Sequence, residues 1–223
     1  GLEQEMNVIT TAEEAAFPWI IDTDLASRID QLAQDNGVSM IGLGLNPGFI
    51  FDALLLTASG IAWDVREIRI RRVVDVSRFS AAIQQRLGIG YTSERFESGV
   101  RAGSITGHIG FPQSFHLVAR CLDVQIDQID SEFEPLIADQ SHKGENLHVK
   151  PGTTAGFVQR YRAICDGRPW MSAEFVAHVD PLSAGYEPSD SIHIDGYNAL
   201  NLTINPGCQP QLGTAAMIAN VMP

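Results

Sequence analysis

With 223 residues, 44% of them hydrophobic, the chain can bury a substantial core as one domain, or as one domain plus part of another. A formal net charge of −12 with 15 lysines and arginines leaves no broad basic surface, so neither nucleic acid nor an anionic membrane is an expected partner. Cys121, Cys165 and Cys208 are widely spaced and odd in number, which supports neither a disulfide framework nor a zinc spacing; buried thiols in a reducing, cytoplasmic setting are expected.

The chain begins at Gly1 with no secretory leader, so a processed product or a piece of a longer protein is expected. Asn7 to Thr11 predicts a short strand, and Thr11-Ala-Glu-Glu14 has the spacing of a helix capping box. Asp22 or Thr23 then caps a predicted helix on which Leu25, Ile29, Leu32 and Ala33 recur at helical spacing as far as Asn36-Gly37. Val38 to Leu43 reads as a buried strand. This rhythm typifies parallel-sheet proteins, yet it is too short to make a sheet alone, so further strands upstream are expected. Met40 to Trp63 is the most apolar stretch, but Asn46, Pro47, Asp52 and several glycines interrupt it and argue against a membrane span. Within it, Gly44-Leu-Asn46-Pro47-Gly48 predicts a sharp loop, and Phe49 to Ser59 a helix with proline near its start.

From Val65 to Val74 the alternation places Ile68, Ile70, Arg72 and Val74 on one strand face. Six glycines between Gly88 and Gly110 predict a loop-rich region, followed by a helix from near Pro112 to Leu122. Thr154 to Cys165 and Pro169 to Val179 flank Asp166-Gly167, a strong hairpin signal, and Ser191 to Ile194 and Leu200 to Ile204 add strands. The last third is therefore expected to be an antiparallel sheet with helices on one side, closing with a helix over Gly213 to Val221.

Several residues stand out chemically. Gly42-Leu-Gly44-Leu-Asn46-Pro47-Gly48 is not a dinucleotide fingerprint, because Pro47 occupies the third glycine's place. A helix start after a strand nevertheless suits a carboxamide, carboxylate or phosphate, unless the turn is purely structural. Glu13 and Glu14 compete for a capping role and for a ligand-facing role at the strand-to-helix junction. Arg72, in line with apolar neighbours, needs an anion. Asp75, Asp52 or a substrate carboxylate could supply it, or a bulge at Arg71-Arg72 could return the side chain to water. His108, between Gly107 and Gly110, can project from a tight loop, although a surface position is the plainer alternative. No histidine pair has metal-ligand spacing with a carboxylate, and no Gly-x-Ser-x-Gly or Cys/His pattern suggests a covalent nucleophile.

Taken in order, Val8-Ile-Thr-Thr-Ala-Glu13-Glu-Ala-Ala-Phe-Pro18-Trp19, the Gly42 to Asp52 run, Arg72-Val-Val-Asp75, Gln84 with Gly88-Ile-Gly90, and Gly107-His-Ile-Gly110 resemble the 2,4-diaminopentanoate dehydrogenase family. That family includes the native amine dehydrogenases and is distantly similar to dihydrodipicolinate reductase. The likeness runs from about Asn7 to Pro223. It implies an α/β to α+β fold: residues 1–45 as the remnant of a Rossmann dinucleotide-binding domain, 46–206 as a substrate-binding and dimerisation domain with a mixed, largely antiparallel sheet, and 207–223 as a returning helical segment.

By the same resemblance the parent is an NAD- or NADP-dependent, metal-free homodimer that interconverts a small aliphatic amine or diamine with its ketone plus ammonia. Glu13 looks like the catalytic carboxylate, which leaves Glu14 to the cap. Asn46, Pro47 and Gly48 would meet the nicotinamide, with Asn46 also on the substrate and Gly48 offering backbone donors. Arg72 and His108 would form a polar end suited to a carboxylate or second polar group, and Val74, Phe79 and Thr214 the walls. Without the Gly-x-Gly-x-x-Gly fingerprint the chain alone is expected to bind NAD(P) poorly and to be inactive. A cyclic-imine reductase is the alternative enzyme, for which the adjacent histidine pair followed by a lysine is missing; a dimerisation module without chemistry is the alternative outside catalysis.

Overall fold

The structure is a computed structural model and describes residues 1–143 and 147–222. β1 (Val8–Thr10) and β2 (Met40–Gly42) form a two-stranded parallel pair, joined by α1 (Thr23–Asp35). The Asp22 side chain caps α1 by accepting the Leu25 amide, and Gly37 leaves the helix at a φ of 63°. Ala26 and Ala33 face inward while Leu25 is exposed. β2 is not the buried strand expected. Met40 and Ile41 remain 38% and 44% exposed, on a pair with no third strand among the described residues.

No capping box forms at Thr11. Residues 13–16 make one short 3-10 turn behind Ala12, whose amide is taken by Thr10 Oγ1 at 3.2 Å. Pro18 then forces the preceding Phe17 into an extended φ of −152°, so the turn cannot propagate into an α-helix.

α2 (Ala53–Ser59) starts at Ala53 rather than Phe49. The cause is Asp52, which is fully buried and must have its charge satisfied. One of its oxygens accepts the Ala53 amide at 2.7 Å; the other accepts the Gly48 amide at 2.7 Å and the Ser114 hydroxyl at 2.9 Å. The carboxylate therefore sets the helix start and ties the 44–48 loop to the helix carrying Ser114.

β3 (Glu67–Asp75) follows, and then α3 (Ala81–Arg86), α4 (Ser93–Arg101) and α5 (Phe111–Cys121). α3 precedes the expected loop and α4 interrupts it: Ser80 and Thr92 cap the two helices through their hydroxyls, Gly99 lies within α4, and the other glycines fall in the turns between and beyond them. Also unforeseen is β4 (Gln128–Ile137), an edge strand with acidic residues and Pro135, which the missing amide makes suitable only for an edge.

After the short β5 (His142–Lys143) and β6 (His148–Val149) come β7 (Thr154–Cys165) and β8 (Arg168–His178). Asp166 and Gly167 join the last two with φ values of 50° and 71°, the double positive φ of a type I′ hairpin. β9 (Ser189–Asp195), β10 (Leu200–Ile204) and α6 (Pro210–Val221) complete the chain.

The six-stranded sheet runs β10-β9-β3-β8-β7-β4, with β3 and β8 parallel and every other pair antiparallel. This is the mixed, largely antiparallel sheet expected. Ile68, Ile70, Met171 and Ile194 meet Leu55, Phe96, Phe111 and Phe115 in one core, so the helices cover one face. Across the other face Arg71 and Arg160 both bind Glu174, and Arg160 also reaches Glu134. Of the three thiols only Cys165 is buried; Cys121 is exposed and Cys208 half-buried, contrary to expectation. Among the described residues no helix is long and apolar enough to cross a membrane.

Candidate active site

Glu13 follows β1 and Asn46 follows β2, so both stand beyond the carboxyl ends of the parallel pair, the edge at which open α/β sheets take ligands. β3 contributes Arg72 and Val74, the turn after it Phe79, the loop before α5 His108, and α6 Thr214. These seven line one cleft of about 250 Å³. Pro47 and Gly48 do not line it. Leu45, Val76, Leu87, Phe175 and Pro210 add wall positions that the sequence did not mark. Phe175 is there because the parallel register sets it beside Arg72, and its ring lies 5.2 Å from that of His108. α6 is held against the cleft by Thr214, whose hydroxyl accepts the Leu45 amide at 3.2 Å.

The Asn46 amide nitrogen donates to His108 Nε2 at 3.0 Å, which assigns the imidazole proton to Nδ1. Burial, reinforced by the nearby Arg72 charge, pulls the His108 pKa down to about 3, so the ring is neutral near pH 7. Its backbone amide donates to the buried Gln159 Oε1 at 2.9 Å. Gly107 permits that approach: its φ is 60°, and a Cβ there would lie 2.7 Å from the same oxygen. The other atom of the Asn46 amide, Oδ1, is buried and has no partner. Glu13 is half-buried, and burial, with the like charge of Glu14 adding and Arg86 opposing, lifts its pKa to about 7.

Arg72 is only 3% exposed and its anion is internal. Nη1 donates to Asp190 Oδ1 at 2.7 Å and Nη2 to the Cys208 carbonyl at 2.8 Å, while Asp190 Oδ2 accepts the Cys208 amide at 2.7 Å. Neither Asp75 nor Asp52 serves, and no bulge intervenes, since Arg72 stays in unbroken register with Phe175 on one side and Asp190 on the other. Desolvation lowers the guanidinium pKa while Asp190 opposes it, and an arginine stays charged under both. Of the partners open to Arg72 the structure supplies an internal aspartate, so at the polar end expected to suit a carboxylate the arginine charge is already paired.

Gly48 needs a similar correction. Its amide is committed to Asp52, so it offers no free donor to a ligand. Its hydrogen side chain is required by the loop itself, because at a φ of 120° a Cβ would lie 2.4 Å from the Gly44 nitrogen. Among the described residues no group of three or more histidine, cysteine, aspartate or glutamate side chains could hold a metal ion.

Residues 49–223 match the sequence profile of the 2,4-diaminopentanoate dehydrogenase C-terminal domain. The chain belongs to this family. It is 34% identical over all its 223 residues to the 2,4-diaminopentanoate dehydrogenase of Acetoanaerobium sticklandii and covers 63% of that protein's length. The solved amine dehydrogenase of Mycobacterium smegmatis superposes on 98% of the chain with a TM-score of 0.81 at 20% identity, the chain covering 64% of that structure. The second likeness is one of fold, and it extends over the six-stranded sheet and its helices. In both comparisons this member of the 2,4-diaminopentanoate dehydrogenase family spans less than two thirds of the protein it matches.

Proposed function

We propose that this chain is the substrate-handling part of an NAD(P)-dependent amine dehydrogenase, which converts a protonated amine, water and NAD(P)⁺ into a ketone, ammonium, NAD(P)H and a proton, and runs in reverse as reductive amination. The observation that carries the reading is Glu13: a half-buried carboxyl with a pKa of about 7, just past the end of a parallel strand, in a cleft that also holds Asn46, Arg72 and His108 and has largely apolar walls. Near neutral pH both its forms are populated, so it can take a proton from the amine nitrogen or the attacking water and return it. Its ionised form stabilises an ammonium or iminium nitrogen.

The orphaned Asn46 Oδ1 is an acceptor suited to the carboxamide N–H of a nicotinamide, and it stands in the loop after β2 where such a ring would meet the substrate. When bound, the nicotinamide supplies or accepts hydride at the substrate carbon. His108, neutral and an acceptor at Nε2, holds Asn46 by its amide nitrogen and so keeps Oδ1 available. A boundary near residue 45 between nucleotide-binding and substrate-binding parts, a returning segment from 207, a cytoplasmic setting and a homodimer belong to the same proposal.

The protein carrying this chain, supplied with NADH or NADPH, ammonium and a panel of short ketones, should consume reduced cofactor only when ammonium is present. Glu13→Gln should lower kcat by about 10²-fold or more while the protein stays folded. Consumption that ignores ammonium, or full activity in the variant, removes the reading.

A further inference from the structure

The charges around the cleft make a second statement about what it can hold, resting on its reading as an amine site. Its titratable lining is Glu13, Arg72 and His108. His108 is neutral, and the Arg72 charge is spent on Asp190, a residue only 2% exposed that lies behind the cleft and touches it only through the arginine. What is left among these is the negative charge of ionised Glu13, to which the nearby Glu14 adds and Arg86 is opposed. Asn46 and Thr214 are polar but uncharged, the Asn46 amide nitrogen being committed to His108, and the larger part of the remaining wall, Val74, Val76, Phe79, Leu87 and Phe175 among it, is apolar.

A carboxylate entering such a space must either draw Arg72 away from Asp190, stranding a buried anion, or sit desolvated against a largely apolar wall with no free cation to pair with it. A hydrocarbon tail meets neither obstacle, and an ammonium group at the other end is drawn to Glu13. The volume of about 250 Å³ has room for a short skeleton only. We infer that this cleft takes short amines and ketones that carry no carboxylate, and that Asp190, by cancelling Arg72, is the positioning residue that sets this preference. The substrate in the name of the Acetoanaerobium relative does carry a carboxylate, so the inference separates this chain from that chemistry.

Two amines of matched length, pentan-2-amine and 4-aminopentanoate, distinguish the cases. Added to the chain at about pH 8, where Glu13 is ionised, pentan-2-amine should shift the methyl resonances of Val74 and Leu87 and bind on the order of tenfold more tightly than 4-aminopentanoate. Asp190→Asn, which uncovers the arginine charge, should move that ratio by about tenfold toward 4-aminopentanoate, a change in selectivity that a purely structural role would not produce. Equal or tighter binding of 4-aminopentanoate by the wild type, or binding of neither amine, overturns the inference, and these results stand even if Asp190→Asn fails to fold. An unchanged ratio in a folded Asp190→Asn overturns the part given to Asp190. Turnover of pentan-2-one and 4-oxopentanoate by the whole protein is scored separately: its absence, with amine binding intact, removes the oxidoreductase reading and leaves the preference of the cleft standing.

Discussion

Replacing Glu13 by glutamine tests the electrostatics of the cleft without any cofactor. In the unfolded chain a glutamate titrates near 4.5, whereas in the folded protein burial and Glu14 delay ionisation to about 7. Between those values the native state holds a proton that the unfolded state has released, so native stability falls as pH rises through this window and the loss is complete above pH 7. At about 1.36 kcal/mol per pKa unit the upper bound is about 3.4 kcal/mol, and because the carboxyl is partly open to solvent, screening reduces this to about 1–2 kcal/mol. Glutamine has no such ionisation. The gap in stability between Glu13→Gln and wild type should therefore move by that amount, in favour of the variant, between about pH 4.5 and pH 8. Urea unfolding at both pH values measures it, and thermal melting should show a relative shift of roughly 2–8 °C. Parallel pH profiles for the two proteins would refute the claim that Glu13 is held protonated by its surroundings.

Two further outcomes follow from the same geometry. Asp52→Ala leaves the Gly48 amide and the Ser114 hydroxyl without their acceptor and should cost about 3 kcal/mol or more in urea unfolding. The His108 ring, with its pKa near 3, should show no protonation between pH 5 and 8 in nitrogen NMR, and a titration midpoint near 6.5 would contradict its environment.

Local signals in the sequence carried well where structure is made locally. Asp166-Gly167 marked the β7/β8 hairpin because a type I′ turn depends on the two residues at its centre. Alternation alone singled out Arg72 as a charge among apolar neighbours, but its partner was out of reach. Asp190 lies 118 residues away and is brought opposite by the antiparallel register of β9, so the nearer candidates Asp75 and Asp52 were misleading. Phe175 entered the cleft by the same kind of long-range pairing on β8. Asp52 looks like an interruption in an apolar run, and only its hydrogen bond from the Ala53 amide shows it to be a helix cap, while that from Ser114 shows its tie to α5. Ser80 and Thr92 were present as caps for α3 and α4, and the glycines around them obscured the signal. Glu13, Asn46, Arg72 and His108 were selected together by family resemblance; their meeting in one cleft is a property of the fold.

The hydrogen bond between Asn46 and His108 joins two loops that are distant in sequence, yet both loops are moored to α5. One is lashed to Ser114 by Asp52, and the other runs directly into the helix through Gly110, against which the Pro47 ring is packed so closely that a Cβ would come within 2.5 Å of it. Donor and acceptor therefore share one helix as a point of attachment. The helix is thus a common footing for a hydrogen bond of 3.0 Å whose two sides have further ties of their own, His108 to Gln159 on β7 and Leu45 to Thr214 on α6.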